Sequence, residues 1–185
     1  MSLTAQTNKN WKCIVVFDGI AAFRQAPIAE IYQDERILYI TLQKKVGSRK
    51  NHGNAGIVRN QAFPLISTEW TAFVDDDDFL SPDYVHILSE SMKKYTKKDL
   101  FLFQAFFENC TKQNVFPNNH CVVHQKIMRD QVPISFAVRT SKITEFDLQF
   151  QNDDGEDFIF VHDFEKKGGQ IALIDRVVYF VCKKG

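Results

Sequence analysis

What this chain of 185 residues has little of narrows its role first. It carries no net charge, because 23 Lys plus Arg balance 23 Asp plus Glu. Without a global field, nothing draws it to nucleic acid or to an anionic membrane. Long apolar runs are missing too: none approaches the roughly 20 residues that a membrane span needs, and Met1-Ser2-Leu3-Thr4 lacks the apolar core of a signal peptide. The expectation is a cytoplasmic protein without a transmembrane segment. Cysteine is sparse, at four residues. Cys13 and Cys182 sit in apolar, strand-like runs where a thiol acts as a small hydrophobe, and reduced thiols are expected. Cys110, His120, Cys121 and His124 offer zinc-type ligands but no Cys-x-x-Cys clamp, so an irregular hairpin accounts for them without a metal. No repeat, low-complexity tract or linker interrupts the chain. The length suits one domain, residues 1–185, and 17 Phe make its core aromatic.

What is present alternates between strand and helix patterns. Lys12 to Phe17 reads as a buried strand ending at Asp18-Gly19, and Ile37 to Ile40 as a second. Gly53 to Ile66 predicts a helix, Thr71 to Val74 a strand, and Pro82 to Tyr95 a helix with Val85, Leu88 and Met92 on one face. Leu100 to Phe107 and Ile134 to Val138 are further strands. Between them Asn109 to Gln131 is polar and irregular, a hairpin or excursion turning at Pro117-Asn118-Asn119. Gly155-Glu156-Asp157 opens a helix, and Ile171 to Val181 closes with one or two strands. Such alternation implies an α/β fold with a Rossmann-like, mixed but mostly parallel sheet flanked by helices.

The chemistry concentrates where the apolar run Trp70 to Val74 ends in four consecutive carboxylates, Asp75 to Asp78. Adjacent like charges repel and raise one another's pKa, so a buried cluster needs a cation nearby. A hard divalent ion with oxygen ligands fits that need, and Mg²⁺ or Mn²⁺ bound in this way usually also holds a substrate phosphate. The alternative is a solvated acidic turn capping the helix that begins near Pro82. Position at a strand's carboxyl end, where open α/β sheets bind ligands, favours the site.

Several features, in this order, resemble the family 2 glycosyltransferases of the GT-A (nucleotide-diphospho-sugar transferase) fold. They are Gln6-Thr7-Asn8-Lys9-Asn10-Trp11 before a strand ending in Asp18-Gly19; Asn51-His52-Gly53 with Arg59-Asn60; Asp75 to Asp78 with Pro82; and Gly155-Glu156-Asp157. The resemblance implies metal-dependent, inverting transfer of a sugar from a nucleotide-diphosphate sugar, a UDP-sugar, to a hydroxyl of a carbohydrate or lipid-linked acceptor, as in polysaccharide biosynthesis. It implies that Asp18 meets the nucleobase, that Arg59 and Asn60 lie near the diphosphate, and that Asp75 and Asp76 touch the donor. Asp75 and Asp77 match the Asp-x-Asp pair that holds Mn²⁺ or Mg²⁺, with Asp77 the first ligand. Asp157 matches the base that takes the acceptor's proton.

Each position also has a plainer reading. Asp18 before Gly19 is a common turn pair, Arg59 suits a solvated helix, and Glu156 and Asp157 suit a helix N-terminus through its dipole. The family's usual first strand and helix are expected to lack a counterpart among these residues, since only Met1 to Ala5 precede the Gln-Thr segment. Tyr179 to Gly185 carries no His, which family members often place there as a further ligand, and His162 reads as a packed or surface residue. Asn109 to Gln131 is expected to shape the acceptor side, with Phe106, Phe107 and Phe116 able to stack on a sugar. Two other classes stay open: a non-catalytic binding or assembly module that dimerises through an unpaired edge beside Lys12 to Phe17, and a metal-dependent phosphoesterase.

Overall fold

The structure is a computed structural model that describes residues 2–25, 34–47, 55–108, 113–146 and 155–182. Two compact units divide the chain. The larger comprises Met1–Asn10, Glu69–Thr144 and Asp157–Gly185, the smaller Trp11–Thr68 and Glu145–Glu156.

In the smaller unit the apolar, β-branched run of β1 (Cys13–Phe17) pairs in parallel with β2 (Ile37–Thr41), from Cys13 opposite Ile37 to Phe17 opposite Thr41. Among the described residues β2 is the one strand paired with β1. Parallel neighbours require a crossover, and α1 (Ile20–Gln25) begins it. The chain enters α1 through Gly19 at φ +97°, where a side chain is strained and a Cβ would sit 3.1 Å from the Lys45 backbone nitrogen. At the start of the pair the Arg36 guanidinium lies over the Trp11 ring, 3.8 Å from its centroid, and Asp34 holds Arg36 in place through paired hydrogen bonds. α2 (Ala55–Asn60) stops well short of the predicted Ile66, because Pro64 turns the following residues into a 3-10 helix over Phe63–Leu65. The beginning of that predicted helix, with Asn51-His52-Gly53, lies outside the described residues. Asn60 then clasps the Phe146 backbone: its Nδ2 donates to the carbonyl at 3.1 Å and its Oδ1 accepts the N–H at 2.9 Å.

The larger unit holds β3 (Trp70–Ala72), β4 (Phe79–Leu80), β5 (Leu100–Phe107), β6 (Val115–Phe116), β7 (Phe136–Arg139) and β8 (Ile171–Val181). Their order is β3-β7-β5-β8-β4, with β6 paired to β5. β5 and β8 run parallel and every other pair in this unit is antiparallel. The sheet is therefore mixed, as expected, but its balance among the described strands is antiparallel. Strand–helix alternation suggested crossovers, whereas β6 folds straight back on β5 and β7 returns beside β5 without a long helix to reverse direction.

β5 is the central strand, with Leu100, Phe101, Leu102, Phe103 and Ala105 fully buried. Its rings meet Trp70 (Phe101, 4.8 Å) and Tyr84 (Phe103, 5.6 Å), and Phe136 stacks on Phe160 at 5.1 Å, which is the aromatic core that the Phe count implied. α3 (Tyr84–Lys94) starts two residues after the predicted Pro82 and has no side-chain cap of its own. Gln6, fully buried, supplies one from far away, accepting the Val85 N–H at 3.0 Å and donating to the Ser81 carbonyl at 2.7 Å. The polar excursion contains the expected hairpin and a short helix that was not predicted, α4 (Asn119–His124), capped by Asn118 accepting the Cys121 N–H at 2.9 Å. Within α4 the exposed His120 and His124 bring their rings to 4.5 Å of each other, while Cys121 is buried and no third ligand joins the pair among the described residues; Cys110 lies outside them. α5 (Glu156–Lys166) opens at the predicted Glu156, and His162 packs its ring on Phe158 at 5.1 Å.

Candidate functional site

In the larger unit the loop from β3 to β4 carries the acidic quartet. The Asp78 N–H returns to the Asp75 carbonyl at 3.2 Å, making a single tight turn. Asp76 and Asp77 are exposed at its tip; Asp75 and Asp78 are half-buried at its ends. Asp78 is committed to the fold. Its Oδ1 accepts the Cys182 N–H at 3.0 Å, and its carboxylate lies beside the Tyr179 hydroxyl. Burial holds the Asp78 carboxyl above the usual carboxylate range; the Cys182 N–H and the Tyr179 hydroxyl oppose that shift, and the charges of Asp75 and Asp77 add to it. Tyr179 is fully buried in β8, and its hydroxyl accepts the Asp75 N–H at 3.0 Å. Burial, followed by the Asp75 charge, pushes its pKa far above the usual tyrosine value, so the hydroxyl stays protonated as a donor. Tyr179 was not singled out from sequence. The available signal was a phenol inside an apolar strand, which when buried needs a polar partner.

Asp157, also in the larger unit, stands half-buried in the first turn of α5. Phe106, Phe107 and Phe116 are half-buried around the β5–β6 hairpin, with Phe107 and Phe116 edge to face at 5.1 Å. A depression of about 340 Å³ lined by Lys142, Phe164 and Lys167 lies by the start of β8, at the opposite end of that strand from Tyr179.

In the smaller unit Asp18 sits just past the end of β1. Its carboxylate accepts the Val46 N–H at 2.7 Å and the Gly47 N–H at 3.0 Å, so it shapes the 45–47 loop. Arg59, in the last turn of α2, is not a solvated cation. Its Nη1 donates to Glu156 Oε1 at 2.6 Å, with both side chains nearly nine-tenths buried, and Glu156 Oε2 accepts the Gly56 N–H at 2.8 Å. Glu156, which the motif reading passed over in favour of its neighbour, is thus the carboxylate that binds Arg59. Asp18, Arg59 and Asn60 belong to the smaller unit, and Asp75, Asp76, Asp77 and Asp157 to the larger. No group of three or more His, Cys, Asp or Glu side chains among the described residues is arranged to hold a metal ion. No helix of the described residues is long and apolar enough to cross a membrane.

Comparison with known proteins agrees with this fold. The chain matches the 1–349 segment of S. aureus TarS in complex with UDP-GlcNAc at a TM-score of 0.73 and 19% identity, over 100% of this chain and 53% of that one. The UDP complex of the same segment gives a TM-score of 0.74 and 17% identity over 97% and 54%. These are likenesses of fold, and the fold is GT-A. By sequence, EpsH of Bacillus subtilis is 34% identical over 113 residues, 60% of this chain and 30% of that protein. The glycosyltransferase GlyA of Streptococcus pneumoniae serotype 4 is 33% identical over 97 residues, 51% of this chain and 12% of that protein. The chain thus aligns with under a third of those relatives and about half of the TarS segment. The sequence profile described as glycosyl transferase family 2 matches residues 1–164, and the chain belongs to that family.

Proposed function

We propose that residues 1–185 form one catalytic domain that transfers a sugar from a nucleotide-diphosphate sugar to an acceptor hydroxyl, with inversion and with help from a divalent cation. The observation that carries this reading is the acidic turn: Asp76 and Asp77 are exposed at its tip and Asp75 is half-buried, while Asp78 is bound to the Cys182 N–H. That donor set fits Mn²⁺ or Mg²⁺, hard ions that accept one or two protein carboxylates and complete their shell with water and substrate phosphates. Asp77 and Asp75 would hold the ion, and Asp76 would touch the donor. When bound, the ion supplies charge neutralisation for the departing nucleoside diphosphate.

The protein's own groups do the rest. Asp157 accepts the proton of the acceptor hydroxyl as the hydroxyl oxygen bonds to the anomeric carbon, and the bond from that carbon to the diphosphate oxygen breaks on the opposite face. Asp18 shapes the nucleobase side through the 45–47 loop, and Arg59 with Asn60 shapes the diphosphate side. A UDP-sugar is the proposed donor, supported by the UDP-GlcNAc and UDP complexes of TarS. The acceptor is a carbohydrate or a lipid-linked one met by Phe106, Phe107 and Phe116, and the setting is the cytoplasm.

Calorimetric titration of UDP and GDP with and without Mn²⁺ tests the reading. Metal-dependent binding of UDP that disappears in Asp77→Ala is expected; metal-independent binding would remove the ion from the mechanism. A second reading, a non-catalytic assembly module that forms homodimers, draws on β1 having a described partner on one edge only. A concentration-dependent dimer in sedimentation without nucleotide affinity would favour it.

A further inference from the structure

We propose that Tyr179 is the positioning residue of the acidic turn, and that Asp78 is part of the same brace and not a ligand. The proposal rests on the reading above, in which Asp75 and Asp77 serve the donor and its cation.

Four adjacent carboxylates repel, and a turn built from them would splay unless something held it. β8 provides the hold. It sets Tyr179 opposite Leu80 of β4 and Ala105 of β5, so the fully buried ring has no freedom to move. Its hydroxyl accepts the Asp75 N–H at 3.0 Å at one end of the turn and lies beside the Asp78 carboxylate at the other. Asp78 in turn accepts the Cys182 N–H at 3.0 Å, and its own N–H closes on the Asp75 carbonyl at 3.2 Å. The two ends are locked to one strand, and Asp76 and Asp77 project from a fixed frame. A ligand site held this way loses little entropy on binding, because its geometry is set beforehand. Phenylalanine at 179 would keep the packing but leave the Asp75 N–H without that partner.

Amide hydrogen exchange and calorimetry on the whole chain test this together. Tyr179→Phe is expected to speed exchange at the Asp75 amide by about tenfold or more, with Phe101 and Leu102 unchanged. It is also expected to weaken Mn²⁺ binding at saturating UDP by about tenfold, the scale of one hydrogen bond to a charged group, while UDP affinity without metal stays as it was. Asp78→Asn still offers an oxygen to Tyr179 and Cys182, so it should keep Mn²⁺ affinity within about threefold, whereas Asp77→Asn should abolish it.

Unchanged Asp75 exchange in Tyr179→Phe overturns the brace. Loss of metal binding in Asp78→Asn as complete as in Asp77→Asn overturns the assignment of Asp78. If the unmodified chain binds no UDP with Mn²⁺, the donor reading fails, and the exchange result alone then decides for or against the brace. If Tyr179→Phe unfolds, Asp78→Ala removes the hold at the other end of the turn, and faster exchange at the Cys182 amide replaces the Asp75 readout.

Discussion

Glu156 divides its two oxygens between the Gly56 N–H and the Arg59 guanidinium, in a setting where both charged side chains are nearly nine-tenths buried. Removing one member of such a pair leaves the other's charge desolvated and unanswered, at a cost of about 3 kcal/mol. Glu156→Ala should therefore lower the unfolding free energy by that much, read as a lower urea midpoint at unchanged m-value, and far more than the same change at the exposed Glu90, which pairs with Lys93 on the surface. Cys13 gives a second test at this scale. Burial pushes its thiol from 9.0 up to about 11, so at pH 8 alkylation by iodoacetamide should be slow in the folded protein and rapid in urea. The sign for stability follows, since the folded state keeps its proton between pH 9 and 11 while the unfolded state loses it. Stability should fall as pH rises through that window and be unaffected below it, with a shallower fall in Cys13→Ala.

Among the elements, α2 sets two effects against each other. Ala is the better helix former by about 1 kcal/mol, but a Cβ on Gly56 would lie 2.6 Å from the Phe146 Cβ and 3.0 Å from Glu156 Oε2. Overpacking of that kind costs roughly 1–3 kcal/mol, so Gly56→Ala should lower the melting temperature despite its propensity. Elements with a strong period were legible before any coordinates. β1, β2, β5, α3 and β8 fall within a residue or two of their predicted bounds, and α5 opens where expected. Those that were not legible depend on local exceptions or distant partners. α2 ends early at a Pro-containing turn, α4 is short and polar and declares itself only through its Asn118 cap, and the direction of strand pairing rests on how connections return.

For the whole molecule, the proposed chemistry separates binding from transfer. Asp157→Asn should leave UDP binding intact and lower turnover by about 10²–10⁴, the usual contribution of a general base; equal loss of binding would move Asp157 from the acceptor's proton to the donor. Of the candidate site, the chain by itself determined the family, the fold class and the order of the motifs, because ordered spacing and hydrophobic period are properties of neighbours in sequence. Which carboxylates are bound into the fold was decided only in three dimensions. Asp78 is bound to the fold through the Cys182 N–H, and the Asp75 N–H meets the Tyr179 hydroxyl 104 positions away. Arg59 finds Glu156 across 97 positions, a pairing that no local pattern encodes. A side chain's burial and partner are set by what packs against it, and packing joins residues that the linear sequence keeps apart.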